Sequence, residues 1–85
     1  MKILLIDDDI GLLELIKERL IYWGHTVESV TDGQQGWDLF SEAANTFDVI
    51  ISDIKMPVLD GIELLERIRR EEYSLPVIFI SGPGS

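Results

Sequence analysis

Cysteine is absent from this 85-residue chain, which excludes disulfides and thiolate metal sites as supports for the fold. Bases are scarce, with 7 Lys and Arg against 16 acids and a net charge of −9. That balance argues against duplex nucleic acid or an anionic membrane as a direct partner, and suits a basic partner or a cation. No run of 18 apolar residues offers a membrane span, and the N-terminus lacks the charged, apolar and small-residue sections of a signal peptide. The expected compartment is the cytoplasm. The one basic cluster, Arg67, Arg69 and Arg70, falls in the last turn of an expected helix, where it complements the helix C-terminus.

Apolar residues make up 46% of the sequence, enough for a globular core. A chain this short buries only about 60–65% of the surface its unfolded form exposes, so it holds one domain and one core. Its elements alternate. Lys2–Ile6 is a continuous apolar run, the pattern of a strand covered on both faces. Over residues 10–23, Leu12, Leu13, Ile16, Leu20 and Trp23 form a helical stripe, with an aspartate of the Asp8–Asp9 pair as cap and Gly24 as terminator. Residues 25–30 predict a short strand with Val27 and Val30 on one side. "TDGQQG" then predicts a break before a helix through Trp37, Phe40 and Ala44. "FDVIISD" is a second apolar strand, ending on Asp53. "KMPVLDG" is a loop, and a helix capped by Asp60 carries Ile62, Leu65 and Ile68. Residues 76–81, "PVIFIS", read as a further buried strand.

Strands alternating with helices predict a parallel sheet with helices on both faces and right-handed crossovers. The working site of such a sheet lies outside the carboxyl ends of its strands. Asp7 and Asp8 end the first strand, Asp53 the third and Ser81 the fourth. Singly, each could be a helix cap, a turn starter or a loop residue. Together they converge on one edge from distant parts of the sequence. Clustered carboxylates repel and raise one another's pKa unless a cation neutralises them. Mg2+ commonly takes one or two carboxylates plus waters, leaving positions for a phosphate oxygen. A carboxylate beside such an ion can act as the nucleophile in phosphoryl transfer, and the Ser81 hydroxyl could hydrogen-bond the new phosphate.

These segments carry a resemblance. "LLIDDD", "DVIISDIKMPVLDG" and "PVIFISG" are similar to the receiver domain of bacterial two-component response regulators, over essentially the whole chain. The resemblance implies a flavodoxin-like three-layer α/β fold with a parallel sheet in strand order 2-1-3-4. It implies that Asp53 accepts a phosphoryl group from a histidine kinase. Asp7, Asp8 and Asp53 then hold Mg2+, with the backbone carbonyl of Lys55 as a further ligand, and Ser81 is the switch hydroxyl. Asp9 matches an acidic position that is common but not required, and is read as a helix cap. His25, Trp23, Trp37, Met56, Pro57 and Gly61 keep structural roles: His25 solvent-facing or capping, the tryptophans in helix packing, and Gly61 a backbone residue entering the third helix.

A complete receiver continues with a helix, a fifth strand ending in a lysine, and a final helix. The expectation is therefore a partial receiver over residues 1–81, truncated after the fourth strand. Residues 82–85 are either the start of the next loop or a remnant of cloning. An uncharged apolar strand left at a sheet edge is a pairing template, so self-association through the fourth strand is expected. The function expected first is a phosphoacceptor module. The alternative is a folding or assembly unit without a working switch. An independent aspartate-nucleophile phosphatase is disfavoured, since Lys55 occupies the place of its second acid.

Overall fold

A computed structural model describes residues 1–80 of the chain, so Ser81 and residues 82–85 lie outside the described residues. The order is β1 (Lys2–Ile6), α1 (Ile10–Tyr22), β2 (Thr26–Val30), α2 (Gly33–Glu42), a 3-10 turn (Ala44–Thr46), β3 (Val49–Asp53), α3 (Gly61–Arg70) and β4 (Val77–Ile80). The four strands form one parallel sheet in the order β2-β1-β3-β4, the flavodoxin-like arrangement expected.

Alternation along the strands divides the sheet into two faces. Leu4, Ile6 and Ile50 join Phe40 of α2, Leu64 and Ile68 of α3, Phe47 and Leu59 in one core beneath α2 and α3. Phe40 is fully buried there and meets Tyr73 edge-on, with ring centroids 5.0 Å apart. Ile3 and Leu5 point to the other face, where α1 packs with Leu13 buried. Val27 and Val30 are three residues apart and so take opposite faces: Val27 pairs with Ile3, while Val30 pairs with Ile6 and packs on the α2–α3 core. The expected one-sided pair is corrected by the period of two.

Helix ends follow local chemistry. Asp9 caps α1 by accepting the Leu12 N–H at 3.1 Å, and Gly24, at φ 94°, takes the left-handed conformation that ends it. Trp23 is the C-cap residue rather than part of the packed stripe, and it is 63% exposed. α2 starts four residues before "WDLF". Asp32 is extended and accepts the Gln35 N–H at 2.8 Å, so the expected break is a helix cap. Gly36 lies inside α2, where a Cβ would collide with the Ile6 side chain. α2 ends at Glu42, so Ala44, expected in the helix, falls in the 3-10 turn. In α3 the buried residues are Leu64 and Ile68, with Leu65 half-buried and Ile62 exposed. The expected face is turned by part of a helical step.

β4 pairs only with β3 among the described residues, and it is half-buried rather than fully covered, with Ile78 51% exposed. Trp37 is half-buried, with the Arg67 guanidinium 5.5 Å from its ring centroid. His25 sits in the turn before β2, its Nδ1 3.3 Å from the N-terminal amine. No helix among the described residues is long and apolar enough to cross a membrane.

Candidate functional site

β1 and β3 are adjacent and parallel, with Ile6 opposite Ser52. The next residues along, Asp7 and Asp53, therefore emerge level with each other at the carboxyl edge. A bond from the Asp7 N–H to the Val30 carbonyl, 3.2 Å, holds Asp7 against the end of β2. One carboxylate oxygen from each of Asp7, Asp8 and Asp53 lies within 4.8 Å of the others. Asp7 is 1% exposed and Asp53 8%, whereas Asp8 faces solvent. The carboxyl ends of two neighbouring strands thus bring together acids from distant parts of the sequence.

Hydrogen bonds orient these acids. The Asp9 N–H donates to Asp7 Oδ1 at 2.8 Å, and the Ile54 N–H donates to Asp53 Oδ1 at 2.7 Å. Asp9 itself turns away to cap α1. Burial pushes the Asp7 carboxyl above its usual range. The Asp9 N–H opposes that rise, and the charges of Asp53, Asp8 and Asp9 add to it. The ion pair found among the described residues, Lys2 with Glu28 at 3.4 Å, involves none of the three acids. A carboxylate set with two buried members and one facing solvent, made only of hard oxygen donors, is suited to a small divalent cation such as Mg2+.

Lys55 follows Asp53 by two residues, in the β3–α3 loop, with its side chain exposed. Ser81, the residue after β4 in the sequence, lies outside the described residues. The loop itself holds features that the sequence pattern did not signal. Val58 has φ 72°, a left-handed conformation unusual for a β-branched residue. Gly61 is more than an entry residue, since a Cβ there would collide with the carbonyl oxygen of Asp53. Gly33 of α2 meets the same loop, against Leu59. The signal available was the pair of Asp-Gly steps, each of which turns out to be a cap followed by a glycine at a close approach.

The family model for the response regulator receiver domain matches residues 3–85. Protein RcaC of Microchaete diplosiphon is 38% identical over 82 residues, covering 96% of this chain and 12% of that protein. Response regulator RppA of Synechocystis sp. is 36% identical over 84 residues, covering 99% of this chain and 36% of that protein. The chain therefore spans about a third or less of the length of these curated relatives. Among solved structures, a response regulator receiver domain protein from Clostridium thermocellum superposes with a TM-score of 0.90 at 37% identity, over 98% of this chain and 66% of that one. The response regulator protein TrrA from Thermotoga maritima, in complex with Mg(2+)-BeF, superposes with a TM-score of 0.88 at 28% identity, over 98% of this chain and 70% of that one. With the match running through the acids at both strand ends, the chain belongs to the response regulator receiver domain family.

Proposed function

We propose that this chain is the phosphoacceptor of a two-component relay, with Asp53 receiving a phosphoryl group from a phosphohistidine of a histidine kinase. The observation that carries this reading is the approach of the Asp7, Asp8 and Asp53 carboxylates to within 4.8 Å at the carboxyl edge of the sheet. The likeness to a receiver in complex with Mg(2+)-BeF supports it. Asp7, Asp8 and Asp53 would hold Mg2+ together with the Lys55 carbonyl, and the bound ion supplies charge neutralisation for the incoming phosphoryl oxygens.

The chain's own residues prepare the acceptor. The Ile54 N–H engages Oδ1 of Asp53, which fixes the carboxylate plane and leaves Oδ2 free to attack phosphorus. In that step an O–P bond forms, the P–N bond of the donor breaks, and the bonding pair returns to the imidazole nitrogen. Asp7 stays aligned through the Asp9 N–H. Ser81 is proposed as the hydroxyl that bonds the new phosphate. The module is a signalling domain rather than an enzyme in its own right, and self-phosphorylation from small phosphodonors belongs to the same proposal. The acidic surface suits a basic docking face on the kinase rather than nucleic acid or a membrane, and a cytoplasmic setting fits that partner.

The test is intact mass after incubation with Mg2+ and a small acyl-phosphate or phosphoramidate donor. One added phosphoryl group on the parent and none on Asp53→Asn is the expected result; equal labelling of both, or none on the parent, overturns the reading.

A second reading has its own observation. β4 lies at the sheet edge of the described residues with Ile78 exposed. We propose that the 85-residue chain self-associates through this edge as a homo-oligomer.

A further inference from the structure

The β3–α3 loop runs over residues 54–60 and borders the acids. Its base is closed by the Gly61 N–H, which donates to the Ile54 carbonyl at 2.8 Å. Its far end is a γ-turn, in which the Leu59 N–H donates to the Pro57 carbonyl at 2.8 Å around Val58. That turn rests on a different helix. A Cβ at Gly33, the first residue of α2, would collide with the Leu59 carbonyl oxygen and stand 2.8 Å from its carbonyl carbon and 3.0 Å from its Cβ. This is backbone against backbone, which no rotamer change can relieve.

We propose that Gly33 is a positioning residue. Through its contact with Leu59, the first turn of α2 sets where the β3–α3 loop lies, and with it the geometry around Asp53. The inference rests on the metal-dependent phosphoacceptor reading. Of the two partners the loop is the one that yields. α2 is held by its own ladder and by the Asp32 cap, whose second oxygen also accepts the Gln35 Nε2–H at 2.9 Å. The loop carries a strained turn open to solvent, with Val58 77% exposed. Because Gly61 fixes the loop two residues beyond Leu59, a push at Leu59 is taken up on the other side, over Lys55 to Pro57, beside the acceptor.

The experiment is a calorimetric Mg2+ titration of the folded chain, paired with amide hydrogen exchange. Gly33→Ala is expected to weaken Mg2+ binding about tenfold, the effect of disturbing a group behind the ligands, and to speed exchange of the Leu59 and Gly61 amides. Asp32→Ala loosens the cap without adding an atom and is expected to weaken binding a few-fold, whereas Asp32→Asn keeps the cap, removes the same charge and binds as the parent does. Phe47→Leu, at the opposite edge of the sheet, lowers stability and leaves Mg2+ affinity unchanged. Parental affinity in Gly33→Ala, or equal weakening in Phe47→Leu, overturns the inference. If Gly33→Ala does not fold, the Asp32 pair decides alone, and equal affinities in Ala and Asn overturn it. A parent that binds no Mg2+ defeats the phosphoacceptor reading itself, and this inference with it.

Discussion

The N–H of Asp9 donates to Oδ1 of Asp7 at 2.8 Å while the Asp9 side chain accepts the Leu12 N–H, so one residue both caps α1 and steadies the innermost acid. The bond only partly offsets the burial of Asp7, whose carboxyl remains above its usual range. A carboxyl raised in the folded state binds its proton more tightly there than in the unfolded chain. Its contribution to stability is therefore full below the unfolded value and is lost as pH rises through the folded one. In chelator at neutral pH, Asp7→Asn should melt a few degrees above the parent, and the gap should close as the pH falls through the carboxylate range. Adding Mg2+ should raise the parent's Tm and leave the variant's nearly unmoved. Scanning calorimetry at several pH values checks both.

Val58 adopts φ 72° while largely exposed, so its conformation costs energy without burying much in return. Glycine, with no Cβ, takes positive φ freely. Val58→Gly should stabilise the chain by about 1 kcal/mol, read as a higher urea midpoint at unchanged slope. An unchanged midpoint would show the strain to be negligible.

Phe40 sits at the centre of the core, between Phe47 and Tyr73. Phe40→Ala should cost about 3–5 kcal/mol, a large share of what an 85-residue domain possesses. Circular dichroism of the variant should show a mostly unfolded population at 37 °C. Retention of a cooperative melt near the parent's would contradict this placement of the core.

Ile78 is exposed on the edge strand, Leu15 and Ile21 are exposed on α1, and Trp23 is exposed at its C-cap. Light scattering of the 85-residue chain over a range of micromolar concentrations should give a mass above that of one chain, and Ile78→Lys should lower it. A single-chain mass throughout would sink the self-association proposal.

The strand–helix alternation and the acids at the strand ends were legible because both are written in short-range patterns. The continuous apolar runs of β1 and β3 specify covered parallel strands, and each of these two runs is followed by or ends on its acid, Asp7 or Asp53. What sequence alone left out came from packing. Gly33 and Gly36 look like helix breakers, yet they belong to α2 because the Leu59 backbone and the Ile6 side chain occupy the space a Cβ would need. The buried face of α3 includes Leu64 rather than Ile62, since a helical stripe fixes spacing but not which of two adjacent phases faces the sheet. Trp23 reads as core by spacing and is a solvent-facing cap by position. The grip of α2 on the β3–α3 loop is a contact between elements distant in sequence, and no periodicity encodes it.

β1 lies between β2 and β3, which orders events during synthesis. The first strand to leave the ribosome gains its second neighbour only late, because β3 must emerge before Ile3 to Ile6 can pair on that side. Asp7 and Asp8 accordingly wait, exposed and mutually repelling, until Asp53 is delivered. A cation that needs all three carboxylates cannot help to nucleate folding and can only lock the sheet once it is made. Added Mg2+ should therefore slow unfolding and leave the refolding rate nearly unchanged.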